Sequence, residues 1–424
     1  MRRYVLHQLP KEPKTYISIL FASLLTIVAV YIFIQIGEYI QLTFKVFTTD
    51  KAYISYFITP VIFALIVFVD KQYFNFSGGS GIPQLIAAND SRNRTIRSML
   101  LSIKIALVKM CLVFLAMLGG ASISFGGPSV HIGGSIFYHL ATLIKLKRKL
   151  MIHSVIAIGG SAGLIVAFNA PLAGFLFAYE EIGRSLKKQA LILIAISCGS
   201  IYLFFNYFFS SDLYLIDLSQ YTFELMHIWQ LFPLAILGGV LGGIFAKIAL
   251  ILLSKFMFGG TSKIISIAFI MGLIVASSNY LSDSLIAGTG QRETIMLLTG
   301  DKLGIEFVVL KYLSTLASFL STIAGGIFMT SISIGASIGS EVSYLYSQVS
   351  PQIVMIMAMI AYLSGVIRAP LTSSFLVLEM TNSLNLLLPA IIVAFIANMT
   401  SKQISNKPIY ESIAHNYLQL TKIK

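Results

Sequence analysis

Charge is what this chain has least of. Asp, Glu, Lys and Arg make up only 11% of its 424 residues, against about 25% in soluble domains. Acids are the scarcer sign, 17 against 30 Lys and Arg, for a formal net charge of +13. None at all occurs between Asp90 and Glu180. The only cysteines are Cys111 and Cys198, both inside apolar runs. That excludes a disulfide framework and leaves two small hydrophobes expected to be buried.

What fills the chain is apolar. Hydrophobic residues account for 57% and the mean hydropathy is +0.85. This is the composition of an integral membrane protein. At about 20 apolar residues per span, the length allows a dozen or more membrane segments. The excess of positive charge flanks the apolar runs, so it reads as the positive-inside signature of a bilayer protein. A nucleic-acid partner is not expected.

Residues 1–15, with Arg2, Arg3, Lys11 and Lys14, are expected to form a cytoplasmic segment. The apolar run Tyr16–Ile36 is too long for a cleavable signal and has no small-residue cleavage site after it. The membrane domain is expected over 16–400, and 401–424 as a short C-terminal segment without room for a soluble regulatory domain. The basic cluster Lys145–Lys149 and the pair Lys187–Lys188 are expected in cytoplasmic loops. Several apolar runs are short or broken by glycine. Half-helices and re-entrant segments fit this better than a bundle of full spans. Irregular backbone at membrane depth survives only where protein buries it or a cavity receives it.

An internal repeat supports that architecture. Phe168–Glu180 reads FNAPLAGFLFAYE and Ile367–Glu379 reads IRAPLTSSFLVLE. Each has Ala-Pro-Leu and, at the same later position, a glutamate; each follows a glycine-rich stretch. The predicted fold is all-α, with a first repeat over about 16–210 and a second over about 230–400. Repeats of this kind place a site at their interface, near the midplane.

Three glycine-rich stretches are candidates for that site: Ser77–Pro83 (SGGSGIP), Gly119–Ser135 (GGASISFGGPSVHIGGS) and Gly325–Ser340 (GGIFMTSISIGASIGS). A helix N-terminus carries unpaired N–H groups and about half a positive charge. It binds an anion without a full cation, and glycine lets the backbone come close. A conducted ion needs that weakness, because it must also leave. Ser80 adds a hydroxyl before the helix that Pro83 starts. Close helix packing through small residues is the competing explanation for any one stretch.

Taken together, these motifs resemble the CLC family of chloride channels and chloride/proton antiporters, in its prokaryotic form without CBS domains. GSGIP (Gly79–Pro83), GGPSVHIGG (Gly126–Gly134), FNAPLAGFLFAYEE (Phe168–Glu181), GGIF (Gly325–Phe328), RAPLTSSFLVLEMT (Arg368–Thr381) and KPIYESIA (Lys407–Ala414) occur in the family's order. The resemblance implies the CLC-type fold of two inverted repeats with tilted, broken and re-entrant helices. It also implies a multi-pass homodimer in a lipid bilayer, with one anion pathway per subunit and bound chloride rather than a cofactor. Without a regulatory tail, a bacterial inner membrane is expected.

Residue by residue, Ser80 matches the serine whose hydroxyl coordinates the central anion, in the loop continuing through Gly81 and Ile82. Tyr410 matches the tyrosine closing its other side. Ile327 and Phe328 match residues whose amides point at that ion. Phe125, Gly126 and Gly127 match the outer anion site. Serine at position 80 is the chloride-preferring choice. Glu181 matches the inner glutamate that passes protons in antiporter members. Lys109, inside an apolar run, matches a lysine of related transporters and is expected to raise the local potential or to snorkel.

The departures bear on mechanism. The family's GREGP corresponds here to Ser124–Pro128, so the position of the gating glutamate is Gly126. Glycine can neither compete with chloride nor carry a proton. Passive, uncoupled anion transport is therefore expected. A proton-coupled antiporter with another carrier, His131 or Glu181, is the alternative. For Glu180, Glu181 and Glu379, helix capping or a salt bridge with Arg184 or Arg368 competes with a proton role. Met329 and Thr330 stand where Ala-Pro is usual, which places the local helix start in question. An intramembrane serine protease is the remote third reading, on Gly78–Gly81 and Gly159–Gly163. It lacks a histidine placed by any motif to serve Ser80 or Ser161, so the chain is not read as an enzyme.

Overall fold

The computed structural model describes residues 13–144, 149–183, 188–209 and 214–423. The expected loops at Lys145–Arg148 and Lys187, residues 1–12 and Arg184 lie outside them. The described residues are mostly helical, with no strand among them. The first half holds α1 (Pro13–Thr48), α2 (Ser55–Val69), α3 (Ile82–Asp90), α4 (Arg94–Leu100), α5 (Ile103–Leu118), α6 (Gly126–Leu143), α7 (Lys149–Phe168), α8 (Pro171–Phe177) and α9 (Lys188–Phe209). The second holds α10 (Phe232–Phe256), α11 (Thr261–Leu281), α12 (Gln291–Thr299), α13 (Gly304–Leu320), α14 (Phe328–Val342), α15 (Pro351–Ile367), α16 (Pro370–Met380), α17 (Leu387–Ile404) and α18 (Ile409–Ile423).

Seven apolar stretches among the described residues are long enough to cross a bilayer, Ile17–Thr48 and Leu225–Phe256 being the longest at 32 residues each. At 1.5 Å per residue, α3 and α12, of nine residues each, cannot span it. They are half-helices, and α3 is buried along its length up to Asn89. Proline opens several of the helices: Pro83, Pro171, Pro351 and Pro370 sit in first turns, where the missing N–H costs nothing.

The halves are an inverted repeat, and they touch across their shared axis. Ser124 and Gly326 precede α6 and α14 respectively. Each donates its N–H to the other's carbonyl, both at 2.8 Å. The repeat glutamates are exchanged as well. Glu180 accepts from the N–H groups of Leu371 (3.1 Å) and Thr372 (2.7 Å) and from the Thr372 hydroxyl (2.8 Å). Glu379 accepts from the N–H groups of Leu172 (2.9 Å) and Ala173 (2.8 Å). Each carboxylate thus caps the Ala-Pro-Leu helix of the other repeat, α16 and α8. A carboxylate at a helix N-terminus satisfies orphan donors and complements the dipole.

Small residues set the spacing inside each half. A Cβ on Gly163 would lie 2.0 Å from the Ser129 carbonyl oxygen, and one on Gly133 would lie 2.2 Å from that of Gly159. The glycines of Gly159–Gly163 therefore bring α6 and α7 together, the packing role that competed with the anion reading. Ser161 donates its hydroxyl to the Ala157 carbonyl within α7 at 3.0 Å. Cys198 is buried as expected, but Cys111 is exposed. It lies on a face of α5 that other helices leave uncovered, where lipid accepts an apolar side chain without penalty. Seen only as an apolar run, α5 gives no sign of which face that is.

Candidate anion pathway

The loop before α3 is fixed by buried polar contacts. Asp70 accepts from Ser77 N–H (2.8 Å), Ser77 hydroxyl (2.7 Å) and Gly78 N–H (2.8 Å). Lys109, fully buried in α5, donates to the carbonyls of Gly78 (2.9 Å) and Gly79 (2.8 Å). Its ammonium reaches no interface, so snorkelling is excluded. Gly79 and Gly81 adopt φ of +69° and +99°, a region that side chains disfavour. This turn places Ser80 just before α3, 2% exposed and with its hydroxyl in no hydrogen bond of good geometry.

Four segments meet there. A Cβ on Gly127, in the first turn of α6, would lie 2.3 Å from Ser80 Oγ. One on Gly326, just before α14, would lie 2.8 Å from the Gly127 nitrogen. Phe328 opens α14, and its ring stacks on that of Tyr410 at 6.1 Å with planes 8° apart. Tyr410 is completely buried in α18, its hydroxyl facing that of Ser80. Ser80, Gly81, Ile82, Phe125, Gly126, Gly127, Ile327, Phe328 and Tyr410 are all buried in this one region.

The amides at these starts are largely uncommitted. The first backbone bonds back to the caps come from Leu85, Ser129 and Ser331, so the preceding N–H groups have no backbone acceptor in their own helix; that of Gly81 is taken by Gln84 Oε1 at 3.0 Å. Ser124 Oγ takes two of them, those of Gly126 and Met329, each at 3.2 Å. Helix α14 starts at Phe328 despite the departure at Met329 and Thr330. The Thr330 hydroxyl turns back to the Ile327 carbonyl (3.1 Å) and leaves the backbone donors in place.

The candidate titratable groups divide. His131 places Nε2 at 2.8 Å from the Leu100 carbonyl, which identifies the Nε2–H tautomer. Its Cβ lies against Gly81. No histidine hydrogen-bonds Ser80 or Ser161 among the described residues. Glu181 is buried in a single π-helical turn, Ala178–Ile182, within electrostatic reach of Tyr410. Arg368 donates Nη1 to the Ser405 carbonyl at 3.0 Å.

Some participants were not legible in the motifs. A Cβ on Gly126 would lie 2.6 and 2.7 Å from Cε2 and Cζ of Phe168. The ring of this residue, recognised only as the start of the repeat, occupies the space above the head of α6. Beside Tyr410, a cavity of about 870 Å³ is lined by Lys247, Lys407, Pro408, Glu411 and His415. A second cavity, of about 230 Å³, is lined by residues of both halves: Glu38, Gln41 and Lys45 from the first and Thr289, Gln291 and Arg292 from the second.

Three solved structures share this architecture. A slow cyanobacterial Cl-/H+ antiporter matches with TM-score 0.83 and 24% identity, covering 97% of this chain and 99% of that one. A CLC-type fluoride/proton antiporter matches with TM-score 0.77 and 19% identity, over 94% and 97% of the two chains. A eukaryotic CLC transporter matches with TM-score 0.74 and 20% identity, over 95% of this chain and 75% of that one. At these identities the likeness establishes the fold, that of the CLC proteins. The family model described as "Voltage gated chloride channel" matches residues 61–402, most of the chain, and the chain therefore belongs to the voltage-gated chloride channel (CLC) family.

Proposed function

We propose that this chain carries a small halide, chloride by preference, passively through the neck formed by Ser80–Ile82, Phe125–Gly127, Ile327–Phe328 and Tyr410. The family's activity, anion transport across a membrane, supplies the class. The observation that carries the mode is Gly126. Residue 126 carries no carboxylate, and the edge of the Phe168 ring lies within 2.7 Å of where its Cβ would be. An ion meeting Ser80, Tyr410 and backbone amides is held by dipoles and hydroxyls alone, weakly enough to be released. Bound chloride is the only ligand this reading needs. The resemblance further supports a homodimer in a bacterial inner membrane, each subunit with its own pathway.

The test is chloride-driven proton movement in liposomes holding the purified protein, with valinomycin setting the voltage. Chloride flux without uphill proton movement is expected. Chloride-driven proton pumping would overturn the uncoupled mode and establish the antiporter alternative, with Glu181 as the first carrier to replace. Absence of anion flux would overturn transport through this neck.

A further inference from the structure

Phe168 ends α7, and its ring is 1% exposed. It touches the pathway from the side where the family glutamate is missing. Its edge stands where the first side-chain atom of residue 126 would be, at 2.6 and 2.7 Å from an ideal Cβ. It belongs to a connected run of rings. The Tyr214 ring lies edge-on to it at 5.2 Å, and Phe328 lies tilted against it at 6.2 Å. Phe328 in turn stacks on Tyr410. Rings therefore border the neck from the head of α6 to the Ser80–Tyr410 pair.

From this geometry we propose that Phe168 is the outer gate of the pathway: a steric, apolar gate in place of a titratable one. The proposal rests on the reading that the anion passes Gly126 and Gly127. A hydrated anion reaching Gly126 meets an aromatic edge instead of a carboxylate. It passes only when the ring rotates away, and an apolar constriction of this kind opposes wetting when closed. A phenyl ring has no proton to exchange, so this gate neither couples to protons nor titrates in the carboxylate range near pH 4. The ring is braced by Tyr214 and Phe328, and Gly126 leaves it room. The glycine and the phenylalanine act as a pair.

The pair is tested by chloride efflux from liposomes with four proteins: wild type, Phe168→Ala, Gly126→Ala and the double variant. Phe168→Ala is expected to raise efflux about tenfold by removing the apolar constriction. Gly126→Ala is expected to lower it, because the new methyl wedges the ring in place. The double variant should flow like Phe168→Ala alone, a non-additivity that separate roles would not produce. Because Glu38 lies within electrostatic reach of the bracing Tyr214 ring, the pH profile is read in a Glu38→Gln background, where efflux should stay flat as pH falls through the carboxylate range. Phe245→Leu controls for general loosening of the interior, since Phe245 is equally buried but packs on Tyr312 and Phe319 instead. It should leave efflux unchanged. Wild-type flux with no gain in Phe168→Ala, additive effects of the two substitutions, or an equal gain in Phe245→Leu would each overturn the gate and leave the transport reading standing. A silent wild type with a conducting Phe168→Ala would support a gate that is mostly closed. Silence in all variants would overturn the gate together with transport.

Discussion

Gly79–Ser80–Gly81 enters α3 as Gly288–Thr289–Gly290 enters α12. The flanking glycines have φ of +69° and +99° in the first loop and +76° and +81° in the second. Both helices are nine residues long. A fully buried lysine supports each loop from below: Lys109 on the carbonyls of Gly78 and Gly79, Lys311 on those of Ile286 (2.8 Å) and Gly288 (2.9 Å). The side chains at matching places differ. Lys109 precedes Gly126 by as many residues as Lys311 precedes Phe328. Where the first repeat has Gly126 and Gly127, the second has Phe328 and Met329, both buried. The first loop also receives Tyr410 from α18, outside both repeats. Duplication made one backbone device twice; on the proposed reading, side-chain volume decides which copy keeps a seat for the anion beside its hydroxyl.

That contrast can be broken experimentally. The largest effect is expected at Gly127. Gly127→Ala places a methyl 2.3 Å from Ser80 Oγ and 2.7 Å from the Ser80 carbonyl oxygen. Chloride efflux should fall about a hundredfold through loss of the seat. Met329→Ala should cost about 2–5 kcal/mol of stability as a core truncation but leave efflux within about threefold. Equal losses of efflux would mean that both loops conduct.

Next come the lysines. Lys109→Met and Lys311→Met each strip an ammonium from two buried carbonyls, but those of Gly78 and Gly79 keep a second donor, the Gln84 amide (2.6 Å) and the Gly325 N–H (3.4 Å). At about 1–3 kcal/mol per orphaned group, thermal unfolding in detergent should show the larger loss for Lys311→Met. Efflux should fall about tenfold only for Lys109→Met, whose loop carries the seat. A third comparison sharpens chemistry over architecture. Ser80→Ala should change the ratio of chloride to other anions carried, whereas Thr289→Ala should leave that ratio as it is. An unchanged ratio in Ser80→Ala would remove the hydroxyl from the selectivity mechanism.

The smallest effect is expected where the repeats are most alike. Glu180→Gln and Glu379→Gln should each cost about 1 kcal/mol, the value of a charged cap. The two losses should match, and transport should persist. A proton role for Glu180 or Glu379 would instead show as altered transport without loss of stability.

Much of this was legible in the chain. The glycine stretches, the repeated Ala-Pro-Leu with its glutamate, and Pro83 at a helix start are local signals. They act through the backbone of their own segment, so they survive without tertiary knowledge. The capping of Glu180 and Glu379 was legible in kind but not in partner, because the carboxylates cross to helices 191 and 207 residues away in sequence. The exposure of Cys111 was illegible for a related reason. A membrane helix is apolar on its lipid face and on its protein face alike, so hydropathy alone cannot say which is which.

The sequence by itself determined that this is a membrane chain of short, glycine-broken helices in two repeats, with hydroxyls and free amides but no acid at residue 126. Those properties follow from composition and from what each residue type permits its own backbone. Only the tertiary structure decided what stands in the place of that acid. Phe168 reaches Gly126 because α7 folds back against α6 through glycine-to-glycine contacts. Which ring fills a void left by a missing side chain depends on packing between distant segments, and no local pattern encodes it.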